Sequence, residues 1–418
     1  MSGRLDHPAW LSAPETAAVL DALEAAGGPD CARFVGGCVR NALLGRPVDD
    51  LDIATTLTPE AVIAALKAAR IKAIPTGFEH GTVTAVSAGR PHEITTLRRD
   101  VETDGRRAVV AFTTDWAEDA ARRDFTLNAL YADRAGAVFD PVGRGLEDAR
   151  AGRIVFVGDA RTRIREDYLR ILRFFRFLAW YGRGAPDQTA LAACAALKGG
   201  VATLAAERIS KELLKLLAAD DPRAAVALMA RAGVLAEVLP GGQDLARFEA
   251  LVGIETELLF TCDPILRLAA LMPDDEAAVL QAAARLRLSN AQRDRLAAIP
   301  GSTPPITSAL SPRQVRRTVY ALGAGAFADR AMLAWAADPD TAATPAWRGL
   351  IAQAQGWTPP ALPLTGDDAV AAGAPRGPLV GRALREAEAW WIDADFPDDR
   401  GAALERLQAV VRDLVGGA

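Results

Sequence analysis

The sequence predicts an α+β protein with a small sheet-containing head at the N-terminus and an all-helical remainder. Strand-like and helix-like segments alternate to about residue 150, and strand signals vanish from about residue 160. From there helical patterns rich in Ala, Leu and Arg run to the end, broken at Gly182–Pro186, Asp220–Pro222, Pro240–Gly242, Pro300–Pro305 and Trp357–Pro363. No fixed-period repeat accompanies these breaks, which argues against a solenoid. The segmentation predicts a head over 1–150 and helical modules over 151–220, 221–300 and 301–418.

In the head, a helix over 15–26 leads to a strand at 32–35, a Gly36-Gly37 turn, a short helix with Arg40, and a second strand carrying Asp50 and Asp52. The next helix is announced by Thr58-Pro59-Glu60, with Thr58 as cap and Pro59 in the first turn. Short β-rich runs at Lys72–Pro75, Thr82–Ser87 and His92–Leu97 are separated by glycine-containing turns. The segment RRDVETDGRR, 98–107, is charged and without periodicity, which predicts an exposed mobile loop.

Half of the 418 residues are apolar, so core burial is not limiting. No run approaches a membrane span and the N-terminus lacks a basic region followed by an apolar segment, which predicts a cytoplasmic protein. Cys31, Cys38, Cys194 and Cys262 are scattered with no CxxC pair, so neither a disulfide framework nor a structural zinc site is indicated. They read as small core residues. The net charge of −5 argues against a protein that coats polyanions, yet it leaves room for local basic surfaces. The basic residues are nearly all arginine, from which no function follows.

Three constellations carry chemistry. Residues i and i+2 of a strand project from one face, so Asp50 and Asp52 point together and make a seat for a hard divalent cation. Gly36 and Gly37 allow the backbone to approach a phosphate closely, and the following helix start favours negative charge. A lone DxD is ordinarily a solvated turn and a lone Gly-Gly a tight bend. Their strand–turn–helix–strand order within seventeen positions points instead to metal-assisted phosphoryl or nucleotidyl transfer.

The second constellation is EDAARRDFTLNALYA, 118–132, where Arg122, Arg123, Asp124 and Asn128 sit at the predicted start of an amphipathic helix. Alone, Asp124 reads as a helix cap. Placed after the metal strands, an Arg–Asp pair suits a ribose hydroxyl and a phosphate. The third is REDYLRILRFFRF, 165–177, with Asp167, Arg170, Arg173 and Arg176 at three-residue steps in a helix apolar on all sides. One reading is an internal Asp167–Arg170 ion pair with surface arginines. The other is a nucleobase template, the carboxylate accepting from an exocyclic amine and the guanidinium donating to the ring nitrogen. Such a pair suits cytosine and adenine and rejects guanine and uracil.

VGGCVRN with DDLD, RRDFTLNA and REDYLRILRFFRF resemble the successive signature motifs of the class II nucleotidyltransferases, the family of bacterial CCA-adding tRNA nucleotidyltransferases and poly(A) polymerases. The clear motifs span 34–177, and LTGDDAVAAGAPRGPLVGRAL, 364–384, is similar to the C-terminal region of bacterial CCA-adding enzymes. The resemblance implies a polymerase-β-like head, a base-recognising helical neck, a body, and a tail that binds tRNA. It implies Asp50 and Asp52 as Mg²⁺ ligands and Gly37 and Arg40 as triphosphate contacts. Glu93 is the candidate third carboxylate. Arg123 with Asp124 would meet the triphosphate or ribose, Asp167 and Arg170 the base, and Arg173 and Arg176 would support them or bind phosphate. Asn41 departs from the family, which commonly has Asp there, and reads as a hydrogen-bonding residue at the helix start.

The implied activity is addition of CMP, CMP and AMP to the tRNA 3′ end from CTP and ATP. A poly(A) polymerase shares the motifs, but TGFEHGTV at 76–83 looks more like the CCA-adding pattern and no basic C-terminal extension is present. An enzyme adding only CC is disfavoured because 98–107 resembles the element needed to switch to ATP. A catalytically silent RNA-binding protein is disfavoured by the intact Asp50/Asp52 pair. With histidine only at 7, 80 and 92, a His-Asp phosphohydrolase appendage in the helical half is excluded.

Overall fold

The structure, a computed structural model, describes residues 3–104, 107–241, 243–258, 260–301, 305–338 and 340–416. The chain forms two compact units, Met1–Gly242 and Gln243–Ala418. All strands among the described residues fall in the first.

The strands are β1 (Gly3–Arg4), β2 (Ala32–Val35), β3 (Asp52–Thr55), β4 (Lys72–Gly77), β5 (Thr82–Ser87), β6 (Arg90–Thr96), β7 (Arg98–Asp104), β8 (Arg107–Phe112), β9 (Tyr131–Ala132) and β10 (Ala137–Phe139). Eight of them form one mixed sheet in the order β1-β10-β9-β2-β3-β6-β5-β4. Its pairings are antiparallel except β3 with β6, which run parallel with Asp52 opposite Glu93 and Ile53 opposite Ile94.

Helices α1 (Pro14–Gly27), α2 (Gly37–Leu43) and α3 (Pro59–Ala68) belong to the same domain. Thr58 caps α3 by accepting from Ala61 N, and Pro59 occupies its first turn, where a missing N–H costs nothing. α1 and α3 pack on the sheet. Val19, Leu20, Leu23, Val62 and Leu66 lie buried with Val83, Ala85 and Ile94 of the strands. Strand periodicity then decides what the other face carries: His92, Ile94 and Thr96 of β6 are buried, and Glu93 between them is exposed.

The segment 98–112 is a correction to the predicted mobile loop. β7 and β8 form an antiparallel two-stranded hairpin, Arg98 opposite Phe112 and Asp104 opposite Arg107, with a register shift between Asp100 and Glu102. The ladder runs through a dense run of charge, which is why composition concealed it. Residues 105 and 106 lie outside the described residues.

After β8 come α4 (Trp116–Ala121), α5 (Gly145–Ala151), α6 (Ala160–Glu166), α7 (Leu169–Tyr181), α8 (Gln188–Leu197), α9 (Ala206–Leu217), α10 (Arg223–Arg231) and α11 (Val234–Val238). α7 buries Leu169, Ile171, Leu172, Phe174, Phe175 and Phe177. Phe174 and Phe177 pack against Phe125, and Phe174 stacks on Phe156, which joins α7 to the end of the sheet domain.

The second unit is helical. It opens with α12 (Leu245–Glu257) and α13 (Pro264–Leu271), joined by an Arg267–Glu255 ion pair of 2.5 Å whose side chains are 1% and 2% exposed. Further along, the helices Pro378–Asp393 and Arg400–Gly416 close over Ala383, Ala387, Leu407 and Val411. Burial pushes the Glu255 carboxyl up from its ordinary value, opposed by Arg267. Arg267→Ala strips that carboxylate of its buried guanidinium. It is expected to cost about 3–5 kcal/mol, read as a lower midpoint of guanidinium unfolding.

Candidate active site

Asp52 opens β3, and Asp50 stands just before it rather than within the strand. Leu51 between them is buried while Asp50 is exposed, so the alternation of an extended chain still sends the two carboxylates away from the core. The parallel register sets Glu93 beside Asp52. Burial, then the charges of Glu93 and Asp50, push the Asp52 carboxyl up to about 6, against the pull of Arg123. Crowded carboxylates held at this cost are relieved by a hard cation. Among the described residues no set of three His, Cys, Asp or Glu side chains forms a ready-made metal cage. Two carboxylates alone fit an ion of the magnesium kind, which seldom uses an all-protein cage.

The Gly36-Gly37 turn lies against this edge. Gly36 has φ +71°, a conformation that disfavours any side chain, and a Cβ there would stand 3.5 Å from Arg123 Nη1. Behind it, Cys38 Sγ is within hydrogen-bonding reach of the Val35 and Asp52 carbonyls, which ties α2 to β2 and β3.

Arg40 is 7% exposed and is held by neutral groups. It donates to Asn128 Oδ1, to Asn41 Oδ1 at 2.9 Å and to Tyr181 Oη at 2.8 Å, and its guanidinium lies 4.2 Å over the Tyr181 ring. Burial lowers its pKa. Asn41 sits inside α2 and serves two sides: its Oδ1 accepts from Arg40 and Tyr181, and its Nδ2 donates to the Pro47 carbonyl at 3.0 Å. A carboxylate could not make the last bond.

The sequence places Arg122, Arg123 and Asp124 at the start of a helix; in the structure they follow the end of α4. Asp115 caps that helix instead. Asp124 is not a helix cap but a buried acceptor, taking bonds from Phe125 N, from Asn128 Nδ2 at 3.0 Å and from Arg173 Nε at 2.7 Å. Burial opposes its charge, but Arg173 and Asn128 prevail and hold its pKa below the usual value.

The predicted helix over 165–177 is also corrected. It breaks at Asp167, whose backbone is extended, between α6 and α7. Asp167 Oδ1 accepts from Leu169 N, a local bond that competes with helix continuation. The internal Asp167–Arg170 pair does not form. Asp167 pairs with Arg208 at 2.7 Å, and Arg170 pairs with Glu166 at 2.5 Å while donating to the Arg163 and Arg122 carbonyls. Arg176 pairs with Glu212 at 2.5 Å. The charges on α7 are therefore matched by neighbouring carboxylates, and the helix is one-sided, not apolar all round.

Sequence reasoning passed over Asp119, Tyr131, Tyr181, Arg208 and Glu212. Asp119 is 1% exposed and accepts from Arg122 Nη2 at 2.7 Å, Arg123 Nη2 at 3.0 Å and Tyr131 Oη at 2.7 Å. It also accepts from the backbone N–H of Arg98, at the root of the hairpin. Its spacing of three and four residues from the two arginines was the available signal.

Residues 32–155 match the family described as "Poly A polymerase head domain" and 185–245 the family described as "Probable RNA and SrmB- binding site of polymerase A". Over 393 residues, 90% of this chain and 86% of its relative, the chain is 34% identical to mouse "CCA tRNA nucleotidyltransferase 1, mitochondrial". It belongs to the CCA tRNA nucleotidyltransferase family. The "CCA-adding enzyme" of Geobacillus stearothermophilus is 42% identical over 214 residues, about half of each chain at 50% and 51%. The crystal structure of the Bacillus stearothermophilus CCA-adding enzyme in complex with CTP superposes with a TM-score of 0.75 at 29% identity, covering 96% and 97% of the two chains. The head, the neighbouring helices and the second unit thus follow the architecture of CCA-adding enzymes.

In this member of the family the charge cluster around Asp119 has a measurable consequence. Burial favours its protonation, but the Arg123 and Arg122 guanidiniums and the Tyr131 hydroxyl outweigh that and hold its pKa at about 2, against an ordinary 3.8. A depressed carboxyl pKa supplies stability that is complete above the ordinary value and fades as pH falls through the depressed one. The gap in melting temperature between wild type and Asp119→Asn is accordingly expected to be widest near neutrality and to narrow from about pH 4 towards pH 2.

Proposed function

We infer that this chain adds CMP, CMP and AMP to the 3′ end of tRNA without a nucleic-acid template, drawing on CTP and ATP. The observation that carries this is the Asp52–Glu93 pair beside the Gly36-Gly37 turn, in a chain that matches a CCA tRNA nucleotidyltransferase along 90% of its length.

Asp50 and Asp52 would hold the divalent ion, which we take to be Mg²⁺, with Glu93 as the third carboxylate of the site. When bound, the ion lowers the pKa of the primer hydroxyl and neutralises the triphosphate. The glycine turn admits phosphate close to backbone, Arg40 and Arg123 supply positive charge, and Asp124 with Asn128 faces the ribose. Asp167 and Arg170, paired in this structure with Arg208 and Glu166, would read the base edge, one accepting and the other donating as cytosine and adenine require. Arg173 and Arg176 support them by fixing Asp124 and Glu212. The hairpin 98–112 is assigned to the switch from CMP to AMP. Residues 221–418 are assigned to body and tail, gripping the acceptor arm. No helix among the described residues is long and apolar enough to cross a membrane. The compartment we propose is the reducing cytoplasm, supported by Cys31, Cys38 and Cys194, which are buried and form no disulfide.

The test is to incubate the protein with tRNA transcripts ending before CCA, after C, after CC and after CCA, each nucleotide supplied separately, and to sequence the 3′ ends. CMP added up to CC, AMP added only after CC, and no extension of CCA is the expected result; long adenosine tails would make it a poly(A) polymerase. Asp50→Ala and Asp52→Ala should abolish addition of both nucleotides while keeping tRNA binding, and should remove any rise in melting temperature on adding Mg²⁺.

Asp167→Ala should act on choice more than on rate. Losing one charge-assisted bond to the base reduces discrimination by about 1–3 kcal/mol, roughly ten- to a hundredfold, so UTP and GTP gain entry. Unaltered selectivity in a variant with a lower melting temperature would return Asp167 to a purely structural partner of Arg208.

A further inference from the structure

The carboxylate of Asp119 touches none of the residues assigned to the metal or the base, yet it determines where Arg123 can point. It engages one side of that guanidinium, accepting from Nε at 3.3 Å and from Nη2 at 3.0 Å. Tyr131 completes the clamp: its hydroxyl accepts from Arg123 Nε at 3.2 Å and donates to Asp119 Oδ2 at 2.7 Å. The remaining nitrogen, Nη1, takes part in none of these bonds. It is the atom nearest to the space left by the missing Cβ of Gly36.

We propose that Asp119 and Tyr131 are positioning residues that aim Arg123 Nη1 into the Gly36-Gly37 turn, so that the guanidinium meets the triphosphate of the incoming nucleotide already oriented. The proposal rests on Arg123 being a triphosphate contact. An arginine loses much of its rotamer freedom when fixed. Fixing it before the nucleotide arrives removes that cost from binding. Arg122 takes the other oxygen of the same carboxylate at 2.7 Å, so two guanidiniums share one negative charge and the cluster keeps a net positive charge towards the turn. The anchor is rigid because Asp119 and Tyr131 are both buried, Tyr131 packing edge-on against Trp116 at 5.2 Å.

Charge and aim make opposite demands, and this allows a decisive experiment. Removing the carboxylate takes away a negative charge near an anion seat, which by itself tightens triphosphate binding; losing the aim weakens it. Tyr131→Phe is isosteric and neutral, so it removes part of the aim with no change of charge. Kinetics of CMP and AMP addition and inhibition by inorganic tripolyphosphate are measured for wild type, Tyr131→Phe and Asp119→Asn, with melting temperatures.

Tyr131→Phe is expected to raise KM for CTP and ATP about three- to tenfold, the size of one lost hydrogen bond, with kcat nearly constant and tripolyphosphate inhibition weakened in parallel. Asp119→Asn should move the same three quantities further in the same direction. Unchanged or lower KM in folded Tyr131→Phe overturns the proposal, as does a loss of kcat alone. Should Asp119→Asn fail to fold, Tyr131→Phe decides the matter. Wild-type protein that adds no nucleotides to any transcript would instead defeat the functional reading itself, leaving the positioning question to tripolyphosphate binding by the same variants.

Discussion

The parallel pairing of β3 with β6 is the constraint on which the site depends. In a sheet whose other pairings run antiparallel, it brings Asp52 and Glu93 level across some forty residues of chain. Nothing polar is required to set that register. Ile53 and Ile94 are completely buried beside it, and a slip of one residue would turn Glu93 inward and Ile94 out to water. Apolar burial therefore enforces a juxtaposition of negative charge that electrostatics alone would resist; burial first, and Glu93 second, push the Asp52 carboxyl up.

A second layer of order comes from arginine. Arg173 bonds Asp124 of the head and approaches Glu212 of α9, so one side chain spans the sheet domain and the helices that follow it. Arg170 reaches back to the Arg122 carbonyl, and Arg122 shares Asp119 with Arg123. Partly buried pairs of this kind add little net stability over apolar packing, because desolvation offsets most of the attraction. What they do fix is geometry, since a planar guanidinium bonded at two edges has few other orientations.

The fold was legible wherever a period dominated. The alternation of Thr82–Ser87 gives β5 directly, and Thr58-Pro59 gives the start of α3 within its own four residues. The failures share a cause. In the hairpin, charge masks alternation, although the Asp-Gly pair at 104–105 is itself a hairpin signal. At Asp167 a three-residue charge step suggested one helix, and only the capacity of aspartate to bond a nearby N–H hinted at two. The placement of Asp50, Asp52 and Gly36 was legible because it is set locally, by a strand start and a turn. Asp119 was not, because Tyr131 and Arg98, which define its role with Arg122 and Arg123, lie 12 and 21 residues away.

Arg40 carries a positive charge that no bonded carboxylate neutralises. Its hydrogen-bonding partners are two amides and a phenol, so the guanidinium is rigidly held yet no carboxylate is spent on it, in contrast to Arg122, Arg170, Arg173 and Arg176. The amide at Asn41 preserves this, where a carboxylate would cancel the charge. In a protein of net charge −5, a cation without a bonded carboxylate, set in low-dielectric surroundings, focuses the field at one place. Arg40 is 7% exposed, so dissolved salt screens its charge far less than it screens the charges spread over the surface.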